Sequence, residues 1–226
     1  SAASPEPVLP PVAGVILARG RSRRMGGGDK WLLPLGGRPL LEHVIERVSG
    51  QVRQLALNAN GDASRFAQFR LPVIADGIPD YPGPLAGVLA GMEWARRHAP
   101  DCPWIATFPA DAPFLPHDLV ADSSRASAEG GGRSQHLAAV WAVALAGDLR
   151  RAICDEGIRR VEAFQARFRT ERVPFGNDAR PFLNVNAPDD LRRAEHLLEL
   201  GEVEPGPAPV VLSMACGNAS IGAEQD

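Results

Sequence analysis

The stretch Val12-Ala13-Gly14-Val15-Ile16-Leu17-Ala18-Arg19-Gly20-Arg21-Ser22-Arg23-Arg24-Met25-Gly26-Gly27-Gly28-Asp29-Lys30 decides the reading of the fold. The short apolar run Val12 to Leu17 has the pattern of a buried strand that stops at a turn, the start of a parallel sheet. A basic, Gly-rich loop comes next. Glycines let backbone N–H groups approach anionic oxygens while Arg and Lys neutralise charge, so such a loop can wrap a triphosphate. The competing reading is a solvated basic turn. The loop is not a Walker A motif, because no Gly-Lys-Ser/Thr is present, and it lacks G-x-G-x-x-G spacing. Arg21, Arg23 and Arg24 cannot all face one ligand, and Arg24 is the candidate among them.

Working outward, Leu40, Leu41, Val44, Ile45 and Val48 recur at helical spacing, with Pro39 suited to the first helical position. Leu55 to Leu57 and Val73-Ile74 read as short strands that end at Asn58-Ala59-Asn60-Gly61 and at Asp76-Gly77. A helix from Leu85 to about Arg97 turns Leu85, Val88, Leu89 and Met92 to one face. Trp104 to Phe108 is the next strand and stops at Pro109-Ala110-Asp111. This alternation predicts an α/β fold, a Rossmann-like, doubly wound and mostly parallel sheet, with ligands bound beyond the strand carboxyl ends. Further on, Leu137 to Leu145 reads as a long strand, Asp148 to Asp155 and Val161 to Phe168 as helices, and Val173-Pro174-Phe175 as an edge strand. Asn184-Val185-Asn186-Ala187-Pro188-Asp189-Asp190 then leads into a helix with Leu191, Ala194, Leu197 and Leu198 inward. Asn186 is the candidate cap of that helix.

With 226 residues the chain suits one generous domain, placed at 11–200 between flexible tails at 1–10 and 201–226 that are rich in Pro and small residues. A net charge of −3 rules out a global electrostatic footprint for nucleic acid. Hydrophobic residues at 45% and charged residues at 23% exclude the disordered regime. The three cysteines, Cys102, Cys154 and Cys216, form no CxxC pair, so neither a disulfide framework nor a zinc site is expected. No run approaches the ~20 apolar residues of a membrane span, and no signal-peptide pattern opens the chain. A cytoplasmic location is the expectation.

Two acids stand at strand ends. Asp111 suits Mg²⁺, which takes one or two carboxylates and completes its shell with phosphates and water, or else caps the next turn. Asp76 faces the same choice, and two acids there favour a metal or ribose site. The segment Asp80-Tyr81-Pro82-Gly83-Pro84-Leu85-Ala86-Gly87 enters a helix N-terminus that could meet a phosphate, or is a tight junction needing Gly for close packing. His136 and the other four histidines form no pair at ligand spacing, and no Ser/His/Asp nucleophile elbow is present.

In order along the chain, the L-A-x-G loop with Arg-Arg-Met-Gly-Gly-x-Asp-Lys at 23 to 30, Asn58-Ala59-Asn60, Asp76, Tyr81-Pro82-Gly83-Pro84-Leu85-Ala86-Gly87, Pro109-x-Asp111 and Asn184-Val185-Asn186 resemble the molybdenum cofactor guanylyltransferase family. The resemblance covers roughly Val12 to Leu198. It implies a nucleotidyltransferase fold and transfer of GMP from GTP to the phosphate of molybdopterin or its molybdenum form, with Mg²⁺ and release of pyrophosphate. It further implies that Leu17, Ala18, Arg19 and Gly20 lie against the nucleotide and that Lys30 contacts its phosphates. Asn58 and Asp76 match nucleotide positions, and Asp111 matches the Mg²⁺ ligand. Lys30, Arg24 and Asp111 would carry the catalysis, while Gly83, Asn184 and Asn186 line the pterin side. Molybdoenzyme apoproteins or their chaperones are candidate recipients of the product.

Two positions depart from the family pattern. Arg19 stands where the family usually has Gly, which costs about 1 kcal/mol or more if φ is positive there. Leu137 follows His136 where Pro is common. The alternatives are a CTP-dependent enzyme, whose branch typically begins Pro-Ala, a sugar-phosphate nucleotidyltransferase, or, because of Arg19, a binding-only homologue.

Overall fold

A computed structural model describes residues 11–18, 30–79, 83–120, 138–172, 183–201 and 213–216. Strand β1 (Val12–Leu17) is buried along almost its whole length, as its unbroken apolar run requires of a central parallel strand. It pairs in parallel with β4 (Leu55–Asn58) on one side and β6 (Trp104–Pro109) on the other. Beyond β4 lies β5 (Val73–Ile74), also parallel. On the far side, β7 (Ala139–Ala142) runs antiparallel to β6, and the sheet is completed by β8 (Arg169–Arg172) and β9 (Ser213–Cys216) in the order β5-β4-β1-β6-β7-β9-β8. The expected mostly parallel α/β sheet is thus present, with β7 as its first reversal.

Helix α1 (Leu40–Ser49) buries Leu40, Leu41, Val44 and Val48. Helix α2 (Pro84–His98) starts at a proline, whose missing N–H is not needed there. It comes close to the sheet because Gly87 and Gly91, one turn apart, face it. A Cβ on Gly91 would stand 2.8 Å from Val15 Cγ2 and 3.3 Å from Ile105 Cδ1. On the other side of β6, Trp141 Nε1 donates to Thr107 Oγ1 at 3.0 Å, and that hydroxyl donates to the Ala139 carbonyl at 3.2 Å. The buried polar groups where the sheet reverses are therefore paired, as burial demands.

A second, smaller apolar cluster stands apart from the main core. It joins Leu35 and Leu40, Phe114, Val185, and Ala194 and Leu197 of α5 (Pro188–Glu199). Leu35 lies in a hairpin of β2 (Pro34–Leu35) and β3 (Arg38–Pro39), whose turn residues Gly36 and Gly37 have φ of +57° and +80°, the region where glycine is favoured. His43 Nε2 donates to the Leu35 carbonyl at 2.8 Å, which pins the hairpin on α1.

Several elements differ from the sequence reading. Pro39 is not the first helical residue but the extended residue before it, with ψ 137°. The long strand expected over 137–145 is shorter, because Val143–Leu145 coils into a 3₁₀ turn that feeds α3 (Ala146–Cys154). The helix expected over 161–168 stops early as α4 (Val161–Gln165), since β-pairing claims Arg169–Arg172. Val173 to Phe175, expected as the edge strand, lie outside the described residues, as do residues 1–10. Ser213–Cys216, expected within a flexible tail, forms β9 between β7 and β8. The Pro-rich look of 205–209 masked the apolar run that comes after it.

Leu35 is fully buried in the small cluster, so Leu35→Ala is expected to cost about 2–5 kcal/mol through lost transfer energy and the cavity left behind. Urea unfolding checks this as a lower midpoint at unchanged slope.

Candidate active site

The parallel register lines up one row of residues at the carboxyl edge of the sheet. Ile74 on β5 lies opposite Asn58 on β4, Asn58 opposite Leu17 on β1, and Leu17 opposite Pro109 on β6. The ladder continues one residue further. Ala59 N–H donates to the Ile74 carbonyl at 3.0 Å, Ala18 N–H to that of Asn58 at 2.9 Å, and Ala110 N–H to that of Leu17 at 3.3 Å. The chain therefore leaves four adjacent strands together, and Ala18, Asn58, Asp76 and Asp111 lie at or just after these exits.

One group gathers beyond β6. Lys30 opens a 3₁₀ turn (Lys30–Leu32) ahead of β2. Its ammonium donates to Asp111 Oδ2 at 2.7 Å and to Asn186 Oδ1 at 2.7 Å, and stands 5.1 Å from the centre of the Trp31 ring. Only 10% of the Lys30 side chain and 19% of the Asp111 side chain remain exposed, so the pair is largely withdrawn from water. Val185 N–H donates to the Asp111 carbonyl at 2.8 Å and docks the segment before α5 on the segment after β6. The loop after Asp111 is held from the other side by Gln51, whose Nε2 donates to the Pro116 carbonyl at 2.7 Å and whose Oε1 accepts from Val120 N–H at 2.9 Å.

A second group gathers beyond β4 and β5. Asn58 Nδ2 donates to the Ile74 carbonyl and to Asp76 Oδ1, both at 3.1 Å. Asn60 grips Asp76 twice, donating from Nδ2 to Oδ2 at 2.7 Å and accepting at Oδ1 from the Asp76 N–H at 2.9 Å. Two acceptors on one side fix the orientation of the buried Asn58 amide, so its oxygen faces the first turn of α2. There a Cβ on Gly87 would overlap Asn58 Oδ1 and stand 3.0 Å from Leu17 Cδ2. Among the described residues that oxygen has no donor, a cost that functional sites tolerate. At ~4.8 Å per strand, the ends of β4 and β6 lie roughly 10 Å apart, so the two groups stand on one stretch of the sheet's carboxyl edge.

Of the expected site residues, Leu17 and Ala18 are buried at the end of β1, and Lys30, Asp111 and Asn186 meet. Asn58 and Asp76 meet separately. Asn184 is half-buried next to Val185. Gly83 is the buried residue ahead of α2, with φ −100° that any residue can adopt, so the close approach falls to Gly87 instead. Arg19, Gly20, Arg24 and His136 lie outside the described residues. Asn186 is not the helix cap. Ala187 occupies that position, and the Asn186 side chain is turned to Lys30. Sequence reading also passed over one plain signal: Lys30 is the only lysine among 24 basic residues. A compact ammonium fits between two oxygens where a planar guanidinium would not. Cys102 is no nucleophile, since burial, with Asp101 beside it, pushes its thiol up and away from the thiolate.

Residues 14–170 match the MobA-like NTP transferase domain. A molybdenum cofactor guanylyltransferase from Rhodopseudomonas palustris is 46% identical over 202 residues, covering 83% of this chain and 94% of that protein. One from Cereibacter sphaeroides is 48% identical over 191 residues, covering 82% and 96%. The chain belongs to the molybdenum cofactor guanylyltransferase family. It is a nucleotidyltransferase, and enzymes of this family typically work with a divalent metal ion. The molybdopterin-guanine dinucleotide biosynthesis protein A of Archaeoglobus fulgidus shares the fold, with a TM-score of 0.63 at 24% identity over 84% of this chain and all of that one. Among the described residues no helix is long and apolar enough to cross a membrane.

Because the tightest contact a Cβ on Gly87 would make is with the Asn58 amide, Gly87→Ala is expected to cost about 1–3 kcal/mol. Most of that loss should vanish when Asn58→Ala is already present, which a double-mutant cycle of unfolding free energies measures.

Proposed function

We propose that this chain transfers GMP from GTP to the phosphate of molybdopterin or its molybdenum form and releases pyrophosphate. The observation that carries the reading is the meeting of Lys30, Asp111 and Asn186 at the carboxyl edge of the sheet. An ammonium has three N–H donors. Two are taken, by Asp111 and Asn186, and the third can serve a phosphate oxygen, on a side chain already largely withdrawn from water. Asn58 and Asp76 contact the nucleotide further along the same edge. Leu17 and Ala18 lie beneath it, and Gly83, Asn184 and Asn186 border the pterin side.

The molybdopterin phosphate attacks the α-phosphorus of GTP in line. A new P–O bond forms as the bond to the β-phosphate oxygen breaks, and pyrophosphate departs. No protein nucleophile takes part, so the work of the residues is positioning and charge stabilisation. Lys30 neutralises charge on the transferring phosphate, with Arg24 assigned to the same task from the loop before it.

The donor set at Asp111 fits Mg²⁺. It offers one hard carboxylate, and among the described residues only Oδ2 of that carboxylate is engaged, by Lys30. Mg²⁺ takes one or two carboxylates and completes its shell with phosphates and water. Held by Asp111, Mg²⁺ would neutralise charge on the phosphate oxygens.

Pyrophosphate release with Mg²⁺, molybdopterin and either GTP or CTP tests this reading. Release is expected with GTP and not with CTP, and Asp111→Ala or Lys30→Ala should lower kcat by about 10²–10³-fold. Equal turnover of CTP, or full activity of Asp111→Ala, would overturn it. No release by the parent with recovery in Arg19→Gly would mark the chain as a binding-only form.

A further inference from the structure

Helix α5 begins without the usual cap. Ala187, in the capping position with φ −139° and ψ 161°, has no side-chain oxygen to accept from the first-turn N–H groups. Asp190 turns back instead. Its Oδ2 accepts from the Ala187 N–H at 2.8 Å and from the Asn186 N–H at 2.9 Å. The Asn186 side chain, one residue ahead of the capping position, accepts from Lys30 Nζ instead. On its other side Asn186 adjoins Val185, which is fully buried in the small apolar cluster and donates to the Asp111 carbonyl. The backbone of Asn186 is thus clamped between an apolar anchor and a carboxylate.

We propose that Asp190 is a positioning residue for the transfer. By holding the Asn186 N–H it sets where the Asn186 amide oxygen stands, and through that oxygen it sets where the Lys30 ammonium points. Asp189, its neighbour, pairs instead with Arg192 on the helix surface and has no path to the site. The catalytic consequence rests on the reading of Lys30 and Asn186 as parts of a guanylyltransferase site. The placement of Lys30 does not.

That Lys30 is the only lysine allows a direct test, because ¹⁵N-lysine labelling gives a single side-chain ammonium signal. In the full chain, Asp190→Ala should move this signal toward the one given by Asn186→Ala, while Asp190→Asn, which keeps an acceptor oxygen, should leave it near that of the parent. An unmoved signal in Asp190→Ala would overturn the proposal whatever the kinetics. With GTP and molybdopterin, Asp190→Ala should lower kcat by about 10-fold or more, with KM for GTP changed by less than about 3-fold. Added to Asn186→Ala, it should lower kcat by no more than about 2-fold further. A parent kcat with only a lower melting temperature would make Asp190 a helix cap and nothing more, and a full multiplicative loss on top of Asn186→Ala would likewise overturn the proposal. A signal that moves in a parent chain unable to turn over GTP would leave the placement of Lys30 intact and refute the guanylyltransferase reading alone.

Discussion

An ammonium withdrawn from water needs its charge answered on the spot, since desolvating an unpaired ion costs far more than a single contact returns. Lys30 meets that demand with Asp111 and Asn186, which stand 81 and 156 residues further along the chain. Three distant segments must therefore converge, and the small apolar cluster makes them do so. Leu35 comes from the hairpin after Lys30, Phe114 from the loop after Asp111, and Val185 is the neighbour of Asn186. Burying these side chains together brings the three polar ends to one point. The main core holds the sheet, and the lesser cluster holds the site.

The other group of site residues depends on a different constraint. Asn58 is fully buried at the end of β4, and its amide can point at α2 only because Gly87 leaves room. Gly91, one turn on, performs the same service for Val15 and Ile105. A helix carrying larger residues at these positions would ride further from the sheet, and the Asn58 amide would lose its cover. The register of β1 with β4 and β6 then places this network and the Lys30 group on one edge, about two strand spacings apart.

Much of this was legible in the sequence. The buried run Val12–Leu17, the strands ending at Asn58, Asp76 and Asp111, and the helix begun by Pro84 can be read from local pattern, and each lies in the regular first half. The second half was less so. Arg169–Arg172 and Ser213–Cys216 pair across the sheet with partners distant in sequence, and such pairing leaves little local trace. Capping at α5 misled for a related reason. Asn186 is the better cap by residue type, but Ala187 takes the capping position, and only tertiary contact with Lys30 shows where the Asn186 side chain goes. Gly87 could be read as a packing glycine but not matched to Asn58, because nothing local tells which strand a helix will lie on.

In the proposed reading, one edge of the sheet holds the nucleoside end beside Asn58 and Asp76 and the phosphates beside Lys30 and Asp111. A crystal structure of the chain soaked with GTP and Mg²⁺ tests it most directly. Phosphate density is predicted within hydrogen-bonding reach of Lys30 Nζ, with the ion on Asp111 and the nucleoside against the Asn58–Asp76 network. Nucleotide bound elsewhere, with the Lys30 group untouched, would contradict it.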